Sequence, residues 1–180
     1  MATTILIALG SNRRHGRHGR PEAVVAAAVA ALAAAGLVVT ARSRVHATAP
    51  LGPGGRRFAN AAVAAESALP LPAVLRMLKT IERDFGRRGG RRWGDRVLDL
   101  DIIGAEAIVL RAGCLQIPHP RLASRRFVLD PLLEIAPDWR HPLLHATTRQ
   151  LRARAMRPKA RVRVLANVWA HSSIGRARAF

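Results

Sequence analysis

The residues best placed to do chemistry lie in the run Arg92-Trp93-Gly94-Asp95-Arg96-Val97-Leu98-Asp99-Leu100-Asp101-Ile102-Ile103. Read as a β-strand, it sends side chains alternately to two faces, so Asp99 and Asp101 share one while Leu98, Leu100 and Ile102 share the other. The two acidic Cα atoms would stand about 6.6 Å apart, from a rise of about 3.3 Å per residue. Carboxylates converging from one strand can hold two Mg2+ ions about 3.5 to 4 Å apart, the spacing that clamps a phosphate chain. A bare Leu-Asp-Leu-Asp pattern describes an ordinary half-buried strand with a wet acidic face more readily than a metal site. The surroundings reverse that preference. The chain has only 11 acidic residues, and these two follow Arg87, Arg88, Arg91, Arg92 and Arg96. Guanidinium groups meet phosphate oxygens through a planar fork, so paired acids beside clustered arginines point to a site for metal and polyphosphate.

The elements that must position these groups can be read from periodicity. Thr3 to Leu9 alternates as a first strand and runs into the turn Gly10-Ser11-Asn12. A basic loop follows to Arg20, and Pro21 and Glu22 open an alanine-rich helix that Gly36 stops. Leu37 to Val45 reads as a second strand. His46 to Arg57 holds two prolines and three glycines and reads as a long loop. Phe58 to Ala65 resumes a strand pattern, and Leu71, Val74, Leu75, Leu78, Ile81 and Phe85 recur at helical spacing. A second basic loop, Arg87 to Arg92, leads to a strand over Val97 to Ile103 and a weaker one over Ala107 to Leu110, before Pro118-His119-Pro120 breaks the chain. The order strand, helix, strand, strand, helix, strand predicts a ferredoxin-like α+β sandwich, with helices on one face of an antiparallel sheet. Leu122 to Leu133 and Thr147 to Met156 would be C-terminal appended elements.

Composition bounds the rest. At 180 residues the chain suits one domain, expected over residues 1–168, with 169–180 as a tail without order. Cys114 is the sole cysteine, which excludes an intrachain disulfide and a cysteine-rich metal site and fits a reducing, cytoplasmic setting. No basic region precedes the apolar start, so no secretory signal is expected. Ala23 to Val39 carries no polar side chain, yet it is mostly alanine and reads as a soluble helix packed on a sheet. The net charge is +19; 28 of the 30 basic residues are arginine, and ten of the 30 follow Asp138, the last acid. Such a field suits a polyphosphate substrate or non-specific contact with nucleic acid, and charge alone does not choose between them.

At Arg92 to Asp101 the chain resembles the 6-hydroxymethyl-7,8-dihydropterin pyrophosphokinase family, whose signature is close to Arg-Trp-Gly-Pro-Arg-Thr-Leu-Asp-Leu-Asp. The similarity continues in order through Gly10-Ser11-Asn12, Thr48 to Gly52, Phe58 to Val63, Ile117 to Arg121 and Phe127 to Pro137, roughly residues 4 to 140. The resemblance implies transfer of pyrophosphate from ATP to the pterin alcohol, in folate biosynthesis, with two Mg2+ ions. It implies Asp99 and Asp101 as the metal ligands and, with Arg87 and Arg96, as the catalytic group. Thr48, Leu51, Phe58, Asn60 and Phe127 would bind the pterin. Lys79, Glu82, Arg87, Arg96, His119 and Arg125 would face ATP. Outside the resemblance, Phe58 and Phe127 read equally as core, and His119 between prolines reads first as a turn residue.

The chain also departs from the pattern. Asp95 and Val97 stand for proline and threonine, Phe58 for a frequent tyrosine, and Cys114 and Gln116 for a basic residue and a hydroxyl. The loop from Gly86 to Trp93 is one residue short, which leaves open whether Arg88 or Arg91 fills its second basic role. A monomer is expected, with ATP and hydroxymethyl dihydropterin as partners and neither a membrane nor a specific nucleic acid. The competing readings are a basic ferredoxin-like nucleic-acid module, which would show stacking aromatics on its central strands, and an inactive partner-binding homologue.

Overall fold

A computed structural model of the chain describes residues 1–49, 56–87 and 96–157. Strand β1 (Thr3–Ser11) leads to helix α1 (Pro21–Ala34), strands β2 (Val38–Arg42), β3 (His46–Thr48) and β4 (Phe58–Ser67), and helix α2 (Leu71–Asp84). Strand β5 (Asp99–Ala105), the short hairpin β6 (Leu110–Ala112) and β7 (Leu115–Ile117), a 3-10 turn at Leu122–Ser124, and helices α3 (Arg126–Ile135) and α4 (Thr148–Met156) complete it. The sheet order is β2-β4-β1-β5, every pairing is antiparallel, and β3 also pairs with β4. This is the ferredoxin-like α+β arrangement, with β1 and β4 central.

Local chemistry accounts for the element ends. α1 begins with Pro21 in its first turn and Glu22 at the positive end of its dipole, and Gly36 leaves it at φ +96°. Ile5, Ile7 and Leu9 of β1 bury against Val24, Ala28 and Leu32 of α1 and Val74, Leu78 and Ile81 of α2. That apolar layer is the main core.

Three expectations change, the first being that the weaker strand expected over Ala107 to Leu110 forms only from Leu110, as β6, because a turn at Glu106 (φ +41°) and Ala107 precedes it. The stretch read as a loop from His46 contains β3, because His46, Ala47 and Thr48 pair with Asn60, Ala59 and Phe58 before the prolines and glycines begin. The second strand accordingly ends at Arg42 rather than Val45. Helices also cover both faces: α3 and α4 bury Val128, Leu129, Leu132 and Leu151 on the far side of the sheet, against Leu6, Ala62, Ala64 and Ile103. The expected tail, 169–180, lies outside the described residues.

Candidate active site

Directly paired residues of antiparallel strands carry their side chains on one face. Asp99 of β5 is opposite Gly10 of β1, Gly10 is opposite Asn60 of β4, and Asn60 is opposite His46 of β3. Asp101 is likewise opposite Ala8, and Ala8 opposite Ala62. The two acids expected to hold metal and the amide expected to read the pterin therefore lie on one face, separated by small residues. Gly10 keeps that floor open, since a Cβ there would sit 3.3 Å from Asn60 Oδ1. The spacing of acids and arginines gave no sign of this glycine's part; the register did.

The acid end of the row is dense with ion pairs. Asp99 Oδ1 accepts from Arg87 Nη1 at 2.8 Å and Asp99 Oδ2 from Arg96 Nη1 at 2.5 Å. Arg87 Nη1 also meets Glu82 Oε2. Lys79 Nζ lies 3.5 Å from Asp101 Oδ1. Asp99 and Asp101 remain 25% and 37% exposed, open enough to meet a ligand.

Lys79 and Glu82 do something that helical periodicity did not reveal. Among the described residues β5 is an edge strand, and an edge leaves backbone groups without a strand partner. Glu82, only 1% exposed, accepts from the Leu100 N–H at 2.7 Å through Oε1, while Lys79 Nζ donates to the Leu100 carbonyl at 2.9 Å. Lys79 Nζ also donates to Glu82 Oε1 at 2.8 Å. The residue between the two acids, Leu100, is thus held from α2 at both its N–H and its C=O.

At the other end of the row, Asn60 Nδ2 donates to Thr48 Oγ1 at 2.7 Å, and Thr48 is opposite Phe58. Phe58 and Phe127 are each half-buried, and Phe127, in the first turn of α3, has the Arg125 guanidinium 5.5 Å from its ring centre. His119 donates its backbone N–H to the Ile103 carbonyl at 3.0 Å and accepts the Arg121 N–H at Nδ1. Burial lowers the His119 pKa, and the Asp101 charge opposes that shift. Burial also lowers the Arg125 pKa, with Arg121 acting in the same sense. His119 and Arg125 both sense the charges of Asp99 and Asp101 and so border the same region. Leu51, Arg88 and Arg91 lie outside the described residues.

The donor set suits Mg2+. That ion is bound through one or two carboxylates together with substrate phosphates and water rather than by an all-protein cage. Among the described residues no three His, Cys, Asp or Glu side chains converge as a cage, and Asp99 and Asp101 are two carboxylates on one strand face that would serve such an ion. On this face the central strands β1 and β4 present Ala8, Gly10, Asn60 and Ala62, with Phe58 at the start of β4 as their one aromatic, rather than the several stacking aromatics of an RNA-binding sheet.

Comparison with known proteins points to the same family as the sequence. The family model described as 7,8-dihydro-6-hydroxymethylpterin-pyrophosphokinase (HPPK) matches residues 6–137. A relative from Methylorubrum extorquens named 2-amino-4-hydroxy-6-hydroxymethyldihydropteridine pyrophosphokinase is 41% identical over 138 residues, covering 76% of this chain and 84% of that protein. The folic acid synthesis protein FOL1 of Dictyostelium discoideum is 41% identical over 95 residues, 53% of this chain, and the match spans 14% of that much longer protein. A crystal structure of Plasmodium falciparum HPPK-DHPS superposes with a TM-score of 0.66 at 14% identity, over 86% of this chain and 43% of that one. At that identity the likeness speaks for the fold alone. With nearly three quarters of its length matched by the family model, and the matched segment running from β1 through α3, the chain belongs to the HPPK family.

Proposed function

We propose that this chain transfers a pyrophosphoryl group from ATP to 6-hydroxymethyl-7,8-dihydropterin, releasing AMP and the pterin pyrophosphate for folate synthesis. The observation that carries the reading is the continuous row Asp99, Gly10, Asn60 across β5, β1 and β4. It sets a charged end and an aromatic end on one surface with no bulky side chain between them.

The pterin hydroxymethyl oxygen attacks the β-phosphorus of ATP. A new O–P bond forms, the bond from that phosphorus to the α–β bridging oxygen breaks, and the hydroxyl proton is released. Asn60 and Thr48 hydrogen-bond the edge of the pterin ring, and Phe58 and Phe127 hold its faces. Arg87 and Arg96, next to Asp99, meet phosphate oxygens through forked donors and stabilise charge that develops on them. His119 and Arg125 bind the outer phosphates from the opposite border. Asp99 and Asp101 would hold Mg2+, as two ions, which when bound screens the phosphate charges and aligns the reacting oxygens. Lys79 and Glu82 keep the strand between the two acids rigid and border the nucleotide. Positioning and electrostatics then supply most of the catalysis, as is common in phosphoryl transfer.

The reading fits a monomer in the cytoplasm. Cys114 is free and exposed, and no described helix is long and apolar enough to cross a membrane. The direct test is AMP formation from ATP, followed with and without the hydroxymethyl pterin and with and without Mg2+. AMP released only when all three are present supports the reading. ATP hydrolysis independent of pterin, or no turnover at all, overturns it.

A further inference from the structure

Asn12 lies just beyond the last residue of β1 and is only 4% exposed. The register of β1 with β5 runs Ile7 with Ile102, Ala8 with Asp101, Leu9 with Leu100 and Gly10 with Asp99. Continued regularly, it would set Asn12 opposite Val97. Asn12 instead takes Arg96: its backbone N–H donates to the Arg96 carbonyl at 3.1 Å, and its side-chain Oδ1 accepts the Arg96 N–H at 2.7 Å. In a regular antiparallel rung both bonds are exchanged between main chains. Here a side-chain carbonyl makes one of them, which closes the rung one residue out of register.

We propose that Asn12 is a positioning residue for the phosphate-binding arginine Arg96, holding its backbone where the chain re-enters the sheet. The proposal rests on the reading of Arg96 given above. An arginine side chain has several rotatable bonds, and its guanidinium is placed only as well as the Cα that carries it. Arg96 lies between the Asn12 clasp and its own ion pair with Asp99 Oδ2 at 2.5 Å, and Asp99 is in turn paired to Arg87. The clasp therefore sets the point from which Arg96 reaches both the acid and an incoming phosphate. Donors aimed in advance at developing charge are worth more than donors that must be ordered during the reaction. An alanine at position 12 removes the Oδ1 acceptor and leaves the Arg96 N–H to water. An aspartate keeps an oxygen at the same reach.

The test is a double-mutant cycle read in kcat and in both KM values, with thermal melts as control. Asn12→Ala is expected to lower kcat about 10- to 100-fold, the scale of loss for a misplaced catalytic group, with the KM for pterin changed less than about twofold. Asn12→Asp is expected to recover most of that loss. In an Arg96→Ala background, Asn12→Ala is expected to cost less than about a further twofold, because its effect passes through the missing arginine. Should Asn12→Ala not fold, Asn12→Ser, which shortens the reach of the acceptor, takes its place in the cycle. Two losses that simply multiply overturn the positioning role while leaving the reading of the site intact. An Arg96→Ala enzyme with wild-type turnover overturns the reading of Arg96, and the positioning role with it.

Discussion

Asp99 has a guanidinium on each of its oxygens, and Asp101 faces the Lys79 ammonium. Such half-exposed pairs add little to stability, because water screens them and long side chains lose freedom in making them. Removing one negative charge should therefore cost the fold little and the chemistry a great deal. Asp99→Asn or Asp101→Asn is expected to lower turnover at saturating ATP and Mg2+ by about a hundredfold or more, with the melting temperature nearly unchanged. Wild-type turnover in both variants would remove these acids from the site. At the other end of the row, Phe58→Ala takes away one aromatic face. It should weaken pterin binding by about 1 to 3 kcal/mol and leave ATP affinity unaltered, as titration calorimetry with each ligand separately would read. Equal losses for both ligands would mean that the variant has disturbed the fold rather than the pterin face.

Among the elements, α4 shows how a helix outside the family match still supports the site. It follows the matched segment, 6–137, and packs against α3, the helix that carries Phe127. Its start is a capping box: Thr147 Oγ1 accepts the Gln150 N–H, and Gln150 Oε1 accepts the Thr147 N–H. Arg152 ties it to Asp130 of α3 at 2.9 Å. Thr147→Ala removes the hydroxyl half of the box and should cost about 1 kcal/mol. For a chain of this size that is a fall of about 2 to 4 °C in melting temperature, readable by circular dichroism. No change would show that α4 is held by its apolar contacts alone. β5 is supported from the other side of the sheet, where Lys79 and Glu82 of α2 occupy its open edge at Leu100.

Across the whole molecule, the segment after the family match is locked to the sheet at Gly104. A Cβ built there would lie 2.7 Å from the Trp139 ring, and Trp139 Nε1 donates to the Glu106 carbonyl at 2.8 Å. The indole thus fills the space that Gly104 leaves on β5 and joins residues 138–157 to the strand that carries both acids. Gly104→Ala must displace the ring and should cost about 1 to 3 kcal/mol, as overpacked positions do. In a Trp139→Ala background the same change should cost much less, since the obstacle is gone. Urea titrations of the four proteins measure the difference, and equal costs in both backgrounds would refute the lock.

Much of this was legible before any coordinates. The two acids on one strand face, the arginines before them and most of the strand and helix order follow from side-chain alternation and helical spacing, which are local properties of the chain, whereas Gly10 and Ser11, read as a turn, continue β1 in the sheet. What the sequence left open was distance and pairing between segments far apart along it. That His46 to Thr48 is a strand, that Gly10 lies between Asp99 and Asn60, that Lys79 and Glu82 close the edge at Leu100, and that Asn12 clasps Arg96 depend on register, which is set when the sheet assembles around its core. Periodicity places a residue on a face, and only tertiary pairing decides which other residue shares that face with it.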